Sequence, residues 1–184
     1  KNSLSHLFIK HDSLLDFNNF LNGDINLFFE KTSNDTYLRV FDKYIKSIRP
    51  GDPNQLKSGF SLNLDKENYN LSGGMTAYEK LSGNSSDRYQ FVLPYYDFSK
   101  NLKTNKINDN FSFSSSGSNN LKDTNILTST LTNNLSYDSK DYFSDLGFKN
   151  NFGVYFTNTN IVGKNDPRYR STVQSELMNI VNFT

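Results

Sequence analysis

The stretch "ILTSTLTNNLSY", residues 126–137, alternates apolar and polar side chains. Leu127, Leu131, Leu135 and Tyr137 share one parity, whereas the other parity carries mostly Thr and Asn. Successive side chains of a strand point to opposite faces of a sheet. The period of two therefore predicts a strand with one apolar face and one polar face.

The same alternation recurs along the chain. It is clear in "GFSLNLD" (59–65), "LSGGMTAYEKL" (71–81) and "FKNNFGVYF" (148–156), and turn-forming residues separate the runs. The run "RYQFVLPYYDF" (88–98) is apolar on both parities, and its Pro94 predicts an edge, a bulge or a bend because proline lacks an N–H. We find no sustained helical period. The pattern predicts an all-β chain, an antiparallel meander of about eight or nine strands.

Composition narrows the class of protein. Hydrophobic residues make up 35% of the 184 residues, and aromatic residues make up 15%. The first value is low for a soluble domain, but disordered segments are poor in aromatics. A net charge of +1 provides no global positive field, so we expect no nucleic-acid partner. The sequence has no Cys, no transmembrane-helix run and no signal-peptide pattern.

Two all-β architectures share this pattern, a soluble sandwich and a transmembrane barrel. Three details favour the barrel. Several alternating runs reach about 9–12 residues, the length that a tilted strand needs to cross a bilayer. The polar parity carries Ser, Thr and Asn rather than Lys and Glu. Aromatic residues are expected near strand ends, where a membrane-interface girdle lies: these are Tyr95, Tyr96, Phe98, Tyr137, Tyr142 and Phe143.

In a barrel, the polar parity faces the lumen. The candidate lumen-facing positions are Ser61, Asn63, Ser112, Ser114, Thr128, Thr130, Thr132 and Asn134.

No residue pattern points to catalysis. His6 and His11 are five positions apart, and no Cys or acidic cluster completes a metal site beside them. The glycines of "SGG" (72–74) are not followed by the Lys-Ser/Thr pair of a phosphate loop. We expect these glycines to bend the strand or allow tight packing. We also expect no enzyme activity, no catalytic residue, no metal and no cofactor.

The segment "KTSNDTYLRVFDKYIKSIRPGDPN" (31–54) interrupts the strand pattern. It is too aromatic for a disordered linker and too broken by Pro and Gly for a long helix. The sequence predicts a structured loop, with Tyr37 and Phe41 packed and with Asp35 and Arg39 in local polar contacts. In a barrel it would fold against the rim or into the lumen, and in a soluble protein it would be an ordinary packed loop.

Part of this segment resembles a motif of the LPS-assembly protein LptD family, also called the organic solvent tolerance proteins. "TSNDTYLRVFD" (32–42) is similar to their "SD-x-(S/T)-Y-(L/F)-x-x-(F/Y)-D" segment, from which Asn34 departs. The resemblance continues in order through the preceding strand and "DRYQFVLPYYDFSKNL" (87–102), and it covers essentially the whole chain. The residues of this turn motif are Ser33, Asp35, Thr36, Tyr37, Leu38, Arg39, Phe41 and Asp42.

The resemblance implies a fragment of a very large outer-membrane β-barrel. Residues 1–184 would be the N-terminal half of the C-terminal barrel domain, without the jelly-roll domain and the closing strands. The family inserts lipopolysaccharide into the outer leaflet of Gram-negative bacteria. The implied partners are lipopolysaccharide, an LptE-like plug lipoprotein, a periplasmic LPS-bridge protein that acts through the absent N-terminal domain, and outer-membrane lipid.

Two alternatives stay open at this point, a generic porin or receptor barrel and a soluble β-sandwich binding module of the adhesin kind. Loop lengths predict a topology for the barrel. The short connections near Lys66–Asn68 and Asp138–Asp141 would face the periplasm. The longer ones, Thr32–Lys57 and Thr159–Thr172, would face the outside.

Overall fold

The computed structural model describes residues 4–16, 22–83, 87–103, 109–169 and 173–183. These residues form eleven strands and one helix. In chain order they are β1 His6–Leu14, β2 Asn22–Thr32, α1 Tyr37–Ile45, β3 Gln55–Lys66, β4 Tyr69–Lys80, β5 Tyr89–Lys103, β6 Asn110–Lys122, β7 Ile126–Asp138, β8 Tyr142–Phe143, β9 Lys149–Asn150, β10 Phe152–Lys164 and β11 Val173–Phe183.

Nine of the strands form one antiparallel sheet in the order β1-β2-β3-β4-β5-β6-β7-β10-β11. Each strand pairs with its neighbour in the sequence, except that the two-residue strands β8 and β9 form a separate hairpin between β7 and β10. The predicted antiparallel meander is therefore confirmed. In the described part of the chain, no helix is long and apolar enough to cross a membrane.

The sheet has very little hydrophobic core. Among the residues that the structure describes, the buried apolar side chains are Leu38, Leu56 and Leu81, with Tyr37 and Ile45 packed against them. This cluster holds α1 against the sheet. Apolar side chains in the strands stay exposed by more than a third of their surface, as at Phe60, Met75, Leu131, Leu135 and Val154. No second layer covers them within the described chain.

Pro94 produces a bulge in a central strand. The β4–β5 register shifts between Gly74 and Thr76, and the β5–β6 register shifts between Val92 and Tyr95. A proline without an N–H cannot donate to the ladder, so the strand accommodates it at an irregularity. The prediction from Pro94 is confirmed.

Gly74 allows β3 and β4 to approach closely. A Cβ at this position would lie 2.2 Å from the Phe60 carbonyl oxygen and 2.9 Å from the Tyr95 hydroxyl oxygen. No side chain fits there without a shift of backbone, and the predicted role of the "SGG" glycines in tight packing is confirmed.

The predicted structured loop at 31–54 contains a short helix that the sequence analysis did not identify, because Tyr37–Ile45 form α1. Leu38, Phe41 and Ile45 follow the i, i+3, i+7 spacing of one helix face. Two turns are too short for that period to stand out from the sequence.

The structure also corrects two boundary predictions. Tyr95, Tyr96 and Phe98 lie in the middle of β5, because this strand continues to Lys103. Thr159 belongs to β10, which ends only at Lys164.

Loop length does not distinguish the two ends of the sheet. The turn after Lys66 and the connection after Asp138 lie at the same end of the sheet, because successive connections of an antiparallel meander alternate between its two ends. However, the second connection runs over residues 139–151 and is not short. A short turn, residues 123–125, lies at the end predicted to carry long loops.

Candidate functional site

The candidate site is the sheet itself, whose faces differ in chemistry. Directly opposed residues of neighbouring strands lie on the same face. The register therefore connects one polar row across six strands: Asn63, Ser72, Asp97, Ser116, Thr132 and Thr159. This face is called the polar face below.

All eight positions selected by parity lie on the polar face. Asn63 and Thr132 belong to the row just described, and the others are an even number of residues away from a row member on the same strand. Ser114 lies opposite Asn134, whose amide donates to the Ser114 hydroxyl at 3.2 Å. Thr132 and Thr159 hydroxyls are 3.4 Å apart. The structure thus brings the candidate positions together on one hydroxyl- and amide-rich surface.

The opposite face, called the apolar face, is most uniform on β2 to β5. Ile25 lies opposite Leu62, and Leu27 lies opposite Phe60, which in turn lies opposite Met75. These side chains are half-buried or exposed. The polar groups of β2 and β3 point the other way, where the Asn63 amide donates to Asp24 at 2.9 Å.

A band of polar side chains interrupts the apolar face on β6, β7 and β10. These side chains bond mainly to one another: Ser115 donates to Asn133 at 2.8 Å, and Ser129 donates to Asn119 at 2.6 Å. The members of the band are Ser115, Asn119, Ser129, Asn133, Asn158 and Asn160. Mutual hydrogen bonds reduce the free-energy penalty of removing these groups from water.

A depression of about 350 Å³ lies beside this band. Its lining includes Pro94, Tyr96, Leu131 and Val162. The Tyr96 ring lies directly on Gly117, where a Cβ would come within 2.5 Å of the ring. The aromatic ring covers backbone that a glycine leaves bare.

The residues of the turn motif surround α1. Leu38 is fully buried, and the Tyr37 ring packs against Phe41 with centroids 4.7 Å apart and against His6 at 5.6 Å. The predicted packing of Tyr37 and Phe41 is confirmed. The Ser33 hydroxyl accepts the backbone N–H of Ser5 at 2.8 Å.

The rest of the motif shapes the start and the surface of the helix. The Asn34 side chain accepts the Thr36 N–H at 2.8 Å. Thr36 is the N-cap residue of α1, and the Asp42 carbonyl accepts the Lys46 N–H at 2.9 Å near the end of α1.

The predicted local polar contacts of Asp35 and Arg39 are wrong. Asp35 accepts a hydrogen bond from Arg88, 2.7 Å away and far along the chain. The Arg88 guanidinium also lies 3.2 Å from Glu79. The hydrogen bond to Asp35 is the main cause that raises the pKa of Arg88 above its ordinary value. Arg39 is exposed on α1 and makes no hydrogen bond or ion pair with any described residue.

A buried charged cluster went unrecognised in the sequence. Arg49 donates to both carboxylate oxygens of Glu30, and both side chains are almost fully buried. His6 Nε2 lies 2.8 Å from Glu30 Oε1. Nineteen positions separate Glu30 from Arg49, so no local spacing could reveal the pair. Within the described ranges, no group of three or more His, Cys, Asp or Glu side chains is placed to hold a metal ion.

No protein-family model matches this chain, and no curated protein sequence matches it significantly.

Proposed function

We propose that this chain forms part of the wall of an outer-membrane β-barrel that delivers lipopolysaccharide to the outer leaflet. One observation carries the proposal: a single-layer antiparallel sheet has a Ser/Thr/Asn face on one side and exposed apolar side chains on the other. In water the apolar face would be an oversized hydrophobic patch. In a bilayer, the lipid covers it and the polar face lines an aqueous lumen.

Strand length supports a membrane-spanning wall. β6, β7 and β10 each contain 13 residues. At about 3.3 Å per residue and a tilt of about 45°, such a strand spans roughly 30 Å along the membrane normal. This matches the hydrocarbon thickness of a bilayer, which is about 30 Å.

The chemistry of lipopolysaccharide fits a wall with two faces. Hydroxyls and amides on the polar face can exchange hydrogen bonds with a passing glycan, and the apolar face is compatible with acyl chains. The resemblance of residues 32–42 to the LptD family points to this cargo among the possible barrels. On the same resemblance we propose two protein partners, an LptE-like plug lipoprotein and a periplasmic LPS-bridge protein. The proposed location is the cell outer membrane. We assign lipid contact chiefly to β2 to β5, since the polar band interrupts the apolar face further along.

The membrane orientation is tested with two adjacent residues, Leu62 on the apolar face and Asn63 on the polar face. Leu62→Arg is expected to impair assembly into outer membranes, because an arginine at the bilayer midplane of a barrel costs about 2–4 kcal/mol. Asn63→Arg places the same charge in the lumen and is expected to assemble normally. The readout is the heat-modifiable, membrane-embedded fraction on a gel. Equal assembly of both variants would contradict the orientation.

The cargo is tested by photo-crosslinking in living cells. A photoreactive amino acid at Thr130, on the polar face, is expected to crosslink to lipopolysaccharide, whereas one at Phe60, on the apolar face of β3, is expected to crosslink to phospholipid. A membrane-embedded protein without lipopolysaccharide adducts at Thr130 would favour a generic porin or receptor barrel. A protein that fractionates in the soluble phase would favour the sandwich module.

A further inference from the structure

The connection between β7 and β10 forms an exposed apolar hairpin. β8 pairs with β9, Tyr142 opposite Asn150 and Phe143 opposite Lys149. Three apolar side chains of this hairpin are strongly exposed: Phe143 by 71%, Leu146 by 85% and Phe148 by 65%. This element, residues 142–150, is called the β8–β9 hairpin below.

Its own hydrogen bonds fix the hairpin in this shape. The Ser144 N–H donates to the Phe148 carbonyl, and the Gly147 N–H donates to the Ser144 carbonyl, both at 2.8 Å. Gly147 adopts a φ of +82°, which closes the tip and which a side chain would disfavour. The Lys149 ammonium lies 3.0 Å from Asp141 across the base. The apolar side chains are thus held outward on a braced turn.

The base of the hairpin is tied to the sheet through Asp109. This carboxylate accepts the Tyr137 hydroxyl at 2.6 Å and the Lys140 N–H at 2.9 Å. The Tyr137 ring packs against Phe152, with centroids 5.6 Å apart. Both rings belong to the end of the apolar face, so the base of the hairpin adjoins that face.

We propose that the β8–β9 hairpin is a membrane-interface anchor that inserts Phe143, Leu146 and Phe148 at the boundary between lipid headgroups and acyl chains. The inference deepens the proposed function, since it rests on a wall seated in a bilayer. Aromatic and long aliphatic side chains flanked by lysines have the composition that prefers this layer. Lys140 is exposed next to the hairpin, with its Nζ 5.4 Å from the Tyr142 ring centroid, and we expect its ammonium to bind lipid phosphate oxygens.

The small size of the hairpin argues for lipid rather than a protein partner. One partner of a stable protein–protein interface buries about 800 Å². Three side chains of at most about 150–250 Å² each supply less than that area. Insertion into a fluid interface requires no complementary partner surface, so a narrow apolar tip suffices.

Site-directed spin labelling tests the anchor, because the sequence contains no cysteine. A nitroxide is attached at Phe143→Cys, Leu62→Cys or Lys43→Cys in the protein reconstituted into phosphatidylethanolamine/phosphatidylglycerol vesicles. Lys43 lies exposed on α1 and serves as the aqueous reference. Collision rates with oxygen, which is enriched in lipid, and with a water-soluble nickel chelate report the depth of each label.

At Phe143 we expect an oxygen-to-nickel collision ratio several-fold above that at Lys43 and below that at Leu62. The triple variant Phe143→Ser, Leu146→Ser, Phe148→Ser, labelled at Ser144→Cys, should show a lower ratio than the same label on the unchanged hairpin. A lipid-like collision ratio at Leu62 together with a water-like ratio at Phe143 would overturn the anchor and leave the proposed wall intact. A water-like collision ratio at Leu62 would overturn the proposed membrane-spanning wall. A Phe143 label shielded from both collision partners would mean protein contact and would also overturn the anchor.

Discussion

Arg49 forms an ion pair with Glu30 in which two guanidinium nitrogens donate to the two carboxylate oxygens. In the sequence, Glu30 precedes helix α1 and Arg49 follows it. The same guanidinium donates to the Asp52 carbonyl at 3.0 Å and to the Gln55 carbonyl. Glu30 also accepts the Lys57 N–H at 3.3 Å. One ion pair therefore joins the end of β2, the start of β3 and the chain that follows α1.

Replacing Arg49 with alanine should destabilise this end of the sheet strongly. The change leaves the Glu30 carboxylate buried without its main partner, and breaking a buried pair in this way costs about 3 kcal/mol or more. Equilibrium unfolding in urea measures the loss. Arg39→Ala is the matched control, because Arg39 is exposed and its removal is expected to change stability by less than about 0.5 kcal/mol.

The double variant Glu30→Leu, Arg49→Leu separates charge from packing. It removes both charges together, so we expect it to be more stable than Arg49→Ala alone. If Arg49→Ala and Arg39→Ala unfold at the same urea concentration, the buried pair contributes nothing to stability and the prediction is wrong.

Leu38 should be the residue of α1 on which the docking of the helix depends. It is 0% exposed and packs with Leu56 and Leu81, whereas Val40 on the opposite side of the helix is 64% exposed. Leu38→Ala is expected to cost about 2–5 kcal/mol through lost burial and a residual cavity. Val40→Ala should cost less than about 1 kcal/mol, and limited proteolysis of residues 33–54 should be accelerated in the first variant alone. Equal proteolysis of both variants would contradict this packing.

The strands were predictable because the alternation of apolar and polar residues that specifies each strand lies within that strand. Alternation in "ILTSTLTNNLSY" identifies β7 and both of its faces, and Pro94 predicts an edge, a bulge or a bend, of which the structure shows the bulge. Helix α1 was missed because its nine residues provide only two turns of helical period. The partners of Asp35 and Glu30 were missed because Arg88 and Arg49 approach them only after the strands have paired.

The two faces were predictable in part. Parity within each strand selected the eight polar positions, and register then placed them on one surface. The polar band on the apolar face was not recognised, because each strand contributes only two of its members. Ser115, Asn133 and Asn158 become neighbours through the β6–β7 and β7–β10 pairings. Their significance depends on cross-strand register, which no single strand contains.

Gly74→Ala should disturb the β3–β4 pairing. The new methyl carbon would lie 2.2 Å from the Phe60 carbonyl oxygen, which requires a shift of the backbone. Overpacking of this kind costs about 1–3 kcal/mol. Ser72→Ala is the control on the same strand and face, and it is expected to change stability by less than about 0.5 kcal/mol. Unaltered urea unfolding of Gly74→Ala would show that the two strands have room to separate.

The stability of the turn after β10 should depend on pH through the ionisation of Asp166. Its nearly buried carboxylate accepts hydrogen bonds from the Arg168 side chain at 3.0 and 3.2 Å, from the Arg168 N–H at 2.9 Å and from the Thr128 hydroxyl at 3.0 Å. The Arg168 side chain is the largest cause, and together these contacts lower the pKa of Asp166 to about 2.

A carboxyl group whose pKa is lower in the folded state stabilises that state at pH values above the pKa in the unfolded chain, which is about 3.9. That contribution is lost as the pH falls from about 4 through about 2, because protonation then removes the charge that Arg168 binds. Carbon-13 NMR should follow the Asp166 carboxyl with a midpoint near 2. Arg168→Gln should raise this midpoint, whereas Lys164→Gln, at the exposed end of β10, should leave it nearly unchanged. A wild-type midpoint near 4 would mean that the turn does not hold Asp166 in this network.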